Sequence, residues 1–454
     1  MGVPGVPGPD APRGAFHGAC VVKDGAARLE CAPEDDHGPE QHHPPVLTLS
    51  LERVRAHWHR KQGLAEPLRT SVEEVVASTG WLRTLGGVDA YLAARARVPG
   101  LKRQQLDEAV AQSRLQVVPA VRGCMYLVPR PEVPLVLRIA EEQHRKKADR
   151  EYEKAGIEPR ELADVGEAVL KALRKGPLST DALRKALPEG TVRALGDKGK
   201  KVGISSTLPP ALRHLEFEGK LERTQEGGRL DTERYLWRLP AKNVFTGAKV
   251  PAEPVERHAR IASLFFKQAG PTPLESFTTW AALSQREARA ALEKLPLVPV
   301  AVEGVEDGLW VMEEELAALR EPVPASESLA MLAFEDSYLA FHGGPALFTD
   351  PKHHARKVPV WGNTKGGTLG DARYLFMRPL LDGDRLVGFW EYDVDAGAVV
   401  FGTFDKLAPK RRKAVEALAA DVATFLREEV GHAHSFSLDS DDTVRERAAL
   451  VKAM

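Results

Sequence analysis

Three cysteines in 454 residues, Cys20, Cys31 and Cys124, are too few for a disulfide framework, and their spacing offers no paired-Cys metal site. No stretch supplies the ~18 consecutive apolar residues of a membrane span. No basic run followed by an apolar core opens the chain, as a secretory signal would. These absences lead to the expectation of a reducing cytoplasmic compartment with no membrane partner. Net charge is also scarce, at −1, with 43% hydrophobic and 28% charged residues. That balance excludes a supercharged or disordered chain. The length suggests about two to four domains.

The charge is uneven. Residues 1–45 carry three basic against seven acidic side chains and open with MGVPGVPGPDAPRG. Such a segment cannot build a core and is expected to be a disordered tail or an overlong gene start. The body is mildly basic. It has runs at Arg53 to Lys61, Lys198-Gly199-Lys200-Lys201 and Lys410-Arg411-Arg412-Lys413. Taken singly, such runs belong on solvated faces; on a shared surface they would form a phosphate-binding track.

Periodicity divides the remainder. Ser50 and Ser71 stand where helix caps are expected, before Leu51, Val54 and Trp58 and before Val72-Glu73-Glu74. Further helices are expected around Tyr91 and from Leu106 to Val110. Strands follow at 115–118 and 124–128, joined through Arg122-Gly123. Residues 159–240 read more clearly as three helices and a hairpin around Gly227-Gly228, with sixteen Lys/Arg against twelve Asp/Glu. Residues 255–313 repeat the plan, Gly270-Pro271-Thr272-Pro273 echoing Gly176-Pro177-Leu178-Ser179. After 325 a period of two sets in, at 331–341, 373–377, 385–392 and 399–404.

The expected class is therefore α+β: three tandem winged-helix (helix-turn-helix) modules, a small all-β domain and a terminal helix. The boundaries read 46–157, 158–245, 246–322, 323–406 and 407–430, with a loosely held tail at 431–454. A winged helix presents a helix to the major groove and a wing to the backbone. In the second module these would carry Arg213, His214, Arg223 and Arg229, beside the loop lysines Lys198, Lys200 and Lys201. Double-stranded DNA is thus the expected partner of a monomer. The competing reading is a protein-interaction scaffold, since winged helices serve there too. Histidines occur as adjacent or alternate pairs such as His42-His43 and His353-His354, with no cluster at zinc spacing, so neither metal nor cofactor is expected. Gly362 to Thr368 is glycine-rich but is no GxxxxGK[ST] loop and reads as a turn.

Several short motifs, in order, resemble one family. Gly87-Val88-Asp89-Ala90-Tyr91-Leu92 with Ala96-Arg97-Val98-Pro99-Gly100 is similar to the first-module signature of the crosslink-repair DNA glycosylases of the AlkZ/YcaQ type. Arg122-Gly123-Cys124-Met125-Tyr126-Leu127-Val128 resembles that family's Arg-Gly-Thr-Leu-His-Leu-Val hairpin. Gly270 to Pro273 with Phe277 and Trp280 resembles its third module. Leu332 to Leu339 and Gly388-Phe389-Trp390 resemble its β-domain. The resemblance spans about 46–430. It implies hydrolysis of the N-glycosidic bond of alkylated or crosslinked bases, in a bacterial cytoplasm and at the nucleoid. It implies contact with DNA through Arg83, Arg122 and Tyr126.

The family uses a Gln-x-Gln or Gln-x-Asp pair to position water and support the developing positive charge on the sugar. Here no glutamine lies between Gly63 and Arg103, and Tyr126 replaces the hairpin histidine. A gapless match puts Arg83 and Leu85 at the paired positions. A match that keeps Leu85-Gly86-Gly87 in register puts Asp89 and Tyr91 there, making Asp89 the catalytic carboxylate. Asp89 could instead cap a helix beginning at Ala90. A catalytically silent DNA-binding relative, a lesion sensor or regulator, stays open beside the enzyme.

Overall fold

Serine hydroxyls start the first two helices. In the computed structural model, Ser50 Oγ accepts from the Arg53 amide at 3.3 Å and opens helix Leu51–Lys61. Ser71 Oγ does the same for the Glu74 amide at 3.2 Å and opens Val72–Ser78. Each cap satisfies an amide that a first helical turn leaves over. The structure describes residues 47–454 except positions 233, 306, 307, 323, 325 and 335. The expected tail at 1–45 lies outside the described residues.

Helices Asp89–Arg97 and Arg103–Ala111 lead into antiparallel strands Leu115–Pro119 and Met125–Pro129. Their connection holds Arg122 and Gly123 at φ 62° and 68°, the left-handed region that glycine adopts freely and arginine rarely. Strand Leu82–Arg83 joins the other edge of Met125–Pro129 and sets Arg83 opposite Tyr126. Two residues are too few to show a period, so this strand had no signal in the sequence. Helix Val133–Ala155 then leads to Pro159–Leu173, Thr180–Ala186, Gly196–Lys200 and Leu208–Phe217. The hairpin Glu222–Gln225 with Tyr235–Arg238 closes this group.

The third group comprises helices Pro254–Ala269, Leu274–Ala281 and Gln285–Leu292 and strands Leu297–Val302 and Leu309–Met312. Its sheet gains a parallel strand, Leu47–Leu49, from the start of the described chain. The following helix finds its partners there too. The fully buried Trp58 donates its indole N–H to Pro271 O at 2.9 Å, and Lys61 Nζ reaches Gly270 O at 3.1 Å. Proximity in sequence suggested a place for this helix beside Val72–Ser78; carbonyls at the end of Pro254–Ala269 drew it elsewhere.

A four-stranded antiparallel sheet follows, in the order Ala398–Thr403, Arg385–Asp393, Arg378–Asp382, Leu329–Met331. The strand expected over 331–341 stops at Met331. Asp336 Oδ1 captures the Tyr338 amide at 3.0 Å and starts helix Ser337–Phe341 instead. The strand expected at 373–377 reduces to a single bridge between Leu375 and Val360. The glycine-rich run at 362–368 is only partly a turn: Asn363–Thr368 pairs as a strand with Lys357–Val360. Helix Pro409–Thr424 passes into a π-helical turn at Phe425–Val430. The supposed tail contains helix Asp441–Lys452, with Val444, Ala448 and Val451 buried at helical spacing. The whole is an α+β arrangement.

His59 is fully buried, with Nε2 2.8 Å from Ser328 Oγ. Burial pulls its pKa from 6.5 down to about 4; Asp384 opposes the shift and Arg97 adds to it. The unfolded chain takes up this proton near pH 6.5, the folded chain only near 4. Stability is therefore full above pH 6.5 and falls as pH drops through that window, by about 1.4 kcal/mol per unit. In His59→Gln the loss between pH 6.5 and 4.5, read from urea unfolding, should shrink by about 2 kcal/mol. An identical loss in both proteins rules the assignment out.

Candidate active site

The four residues expected in the first module converge. Arg83, Asp89, Arg122 and Tyr126 line one cavity, together with Leu85. Arg83 and Tyr126 reach it from paired strands, which explains their proximity across forty residues of chain. Arg122 sits in the turn that follows Leu115–Pro119. Its guanidinium donates to Tyr126 Oη at 3.4 Å and to Tyr374 Oη at 3.3 Å, and its amide donates to Gln143 Oε1 at 2.8 Å. Burial pushes the Tyr126 phenol up, against the pull of Arg122, so it remains a hydroxyl.

Asp89 is the first residue of helix Asp89–Arg97. The cap position belongs to Val88, without a side-chain cap, so the helix does not begin at Ala90 as the capping alternative required. A carboxylate in the first turn is favoured by the partial positive charge of the helix N-terminus. Its side chain is 12% exposed and lies 3.7 Å from Nη2 of the fully buried Arg378.

The two candidate registers separate here. Arg83 and Leu85 both border the cavity. Of Asp89 and Tyr91 only Asp89 does. Tyr91 is core: its hydroxyl donates to Asp107 Oδ1 at 2.6 Å and accepts the Leu230 amide at 2.8 Å. Burial and the Asp107 charge hold that phenol well above its ordinary pKa.

Of the remaining wall, Trp280 and Phe334 lie within motifs of the family, whereas Trp81 and Arg373 lie outside every motif. Trp81 and Trp280, with ring centroids 5.6 Å apart, come from different groups, and Phe334 and Arg373 both come from the chain between strands Leu329–Met331 and Arg378–Asp382. Asp336 also borders the cavity and pairs with the buried Arg97 at 2.6 and 2.8 Å. The result is a pocket of aromatic faces with arginines at its border and a carboxylate beneath a helix terminus.

The second-module residues lie apart from this pocket. Lys198, Lys200 and Lys201 are exposed, Lys200 with Asp197 at 3.1 Å. His214 is exposed, and Arg213 is half-buried, 3.7 Å from Glu216. Arg223 is enclosed, bonded to Glu216 at 2.7 and 3.0 Å and stacked 4.6 Å over Trp237. Arg229 pairs with Asp231 and donates to Val430 O at 2.6 Å. The adjoining Leu230 is fully buried and its amide also reaches Asp107. The loop of this hairpin is thus docked on the first group. Local charge could not distinguish these paired arginines from free ones.

This order of helices and hairpins, with an aromatic, cation-rimmed pocket that holds the carboxylates Asp89 and Asp336, belongs to a class that comparison with known proteins defines: proteins built like DNA glycosylases. The family model described as "DNA glycosylase AlkZ-like" matches residues 87–425, and the chain belongs to that family. A similar solved structure is the DNA glycosylase AlkZ of Streptomyces sahachiroi, at TM-score 0.63 and 20% identity, covering 83% of this chain and 97% of that one. At that identity the likeness concerns the fold. No curated protein matches the sequence. Among the described residues no helix is long and apolar enough to cross a membrane.

Proposed function

We propose that the chain is a winged-helix DNA glycosylase that hydrolyses the N-glycosidic bond of an alkylated base extruded from duplex DNA. The three helix-and-hairpin groups are read as winged helices, and the duplex as bound across their cationic side chains. The single observation that carries the reading is Asp89, a carboxylate at a helix terminus within a pocket walled by Trp81 and Trp280. A base inside a duplex is out of reach, so it must swing out and stack on aromatic faces. A purine alkylated at N3 or N7 is cationic, so the C1′–N bond breaks with its electron pair leaving on the base. The sugar becomes oxocarbenium-like, and the Asp89 carboxylate supports that charge and aligns water. The water oxygen bonds to C1′, its proton passes to Asp89, and an abasic site remains. No cofactor enters.

The test is release of free base from duplex DNA bearing cationic N-alkyl purines. Wild-type protein should leave abasic sites; none on any cationic lesion would overturn the enzyme reading. The absence of a glutamine pair, with Leu85 apolar and Tyr91 in the core, favours the second reading, a silent DNA-binding relative.

Both readings require phosphate binding. Replacing Lys198, Lys200 and Lys201 together by Ala should weaken duplex affinity. It should also flatten the slope of log K against log salt by about 1 for each phosphate no longer neutralised. Fluorescence anisotropy between ~50 and ~200 mM salt measures both. An unchanged slope would remove these lysines from the DNA track.

A further inference from the structure

We infer that residues 431–447 form a strap that positions Asp89, with Arg378 as the positioning residue that links strap to carboxylate. The strap lies beyond residues 87–425, the span of the family match.

Two sets of bonds carry this. The first is backbone. The Val88 amide donates to His434 O at 2.8 Å, and the Ser437 amide to Leu85 O at 2.9 Å, so the strap brackets the loop that delivers Asp89. Gly87 leaves no gap between them: a Cβ there would sit 2.4 Å from His434 O and 2.3 Å from the Ser435 carbonyl carbon. Only glycine allows that approach.

The second set is ionic. Arg378 Nη2 donates to Ala433 O at 2.7 Å and Ser435 Oγ at 2.9 Å, and lies 3.7 Å from Asp89 Oδ1. Its other arm pairs with Glu391. Glu391 accepts from Arg447 at 2.6 Å, and Arg447 holds Asp439 at 2.7 Å. Asp439 in turn accepts the Ser435 amide at 3.0 Å. Charges of alternating sign therefore run from the pocket to helix Asp441–Lys452. Each buried ion has a partner on both sides or a backbone bond, which is what makes such a chain tolerable in the interior. Fixed from both directions, the Arg378 guanidinium cannot follow the carboxylate, so it sets where the carboxylate rests. Among the described residues, the other charged groups bordering the same cavity are Arg83, Arg122, Asp336 and Arg373. The strap contributes His432, bonded to Asp231, and His434, bonded to Asp441.

What Asp89 is used for rests on the base-excision reading; what holds it rests on these bonds alone. The experiment separates the two. Full-length protein with carboxyl-labelled aspartate is titrated by NMR as wild type, Arg378→Lys and Arg378→Met, Asp89→Asn supplying the assignment, while base release and duplex affinity are followed in parallel. In Arg378→Met the Asp89 midpoint should rise by about one unit or more, and Arg378→Lys should reverse most of that rise. Base release should fall by about tenfold or more in Arg378→Met with duplex affinity kept. Should Arg378→Met not fold, Ser435→Ala decides: removing one anchor should raise the midpoint by a smaller step and speed amide exchange at Val88. An Asp89 midpoint unmoved in the folded variants overturns the positioning role. A shifted midpoint in a protein that releases no base keeps that role and sinks the enzyme reading.

Discussion

Asp89→Asn should abolish most base release while leaving the protein folded and bound to DNA. Asparagine keeps the volume and loses the charge. Removing one preorganised group aimed at a developing charge costs about 10²- to 10³-fold in rate. Folding should survive because Arg378 keeps Glu391, Ala433 O and Ser435 Oγ as partners. The measurement is single-turnover base release with protein in excess over alkylated duplex, beside an anisotropy titration of the same duplex. A rate within about twofold of wild type would take Asp89 out of the chemistry. It would direct attention to Arg83 and Leu85, which the gapless match puts at the paired positions.

Arg97→Met should produce the largest loss of stability. Arg97 is fully buried, and its guanidinium grips both oxygens of Asp336 at 2.6 and 2.8 Å while donating to Gln62 O at 3.1 Å. Breaking such a pair leaves a buried carboxylate without compensation, at a cost of about 3–5 kcal/mol. Removing both charges together is milder, so Arg97→Met with Asp336→Leu should regain part of the loss. Urea unfolding of the two variants gives the comparison. A cost below about 1 kcal/mol for Arg97→Met would mean that water or another cation reaches Asp336. Asp336 also caps helix Ser337–Phe341 and borders the pocket, so the same change should loosen that part of the pocket wall.

Part of the pocket was legible before any fold. Arg122 and Tyr126 belong to one hairpin, and Arg83 and Asp89 flank one short loop, so motif order alone grouped them. Their meeting depended on strand Leu82–Arg83, whose pairing with Met125–Pro129 no two-residue pattern announces. Trp81 and Trp280 come from separate groups and Phe334 and Arg373 from a third, and nothing local marks them as neighbours. Arg223 and Arg229 show the converse difficulty. Their partners Glu216 and Asp231 were in plain view, yet counting charges cannot tell an internal pair from a free cation. The segment after 430 looked loose because its polar residues outnumber its apolar ones. Its order comes from Arg447, a charge buried by pairing, which composition scores as solvent-facing.

By itself the chain's residue order determined the succession of helices and hairpins, through caps, glycine breaks and apolar spacing that act within a few residues. It also carried the motifs that mark the family. Only the tertiary structure decided which arginines face the pocket and which are neutralised inside. Only there did helix Leu51–Lys61 meet the third group and the C-terminal strap close behind Asp89. Those outcomes rest on pairing between groups far apart in the chain, and a buried charge or carbonyl takes whichever partner the packing delivers.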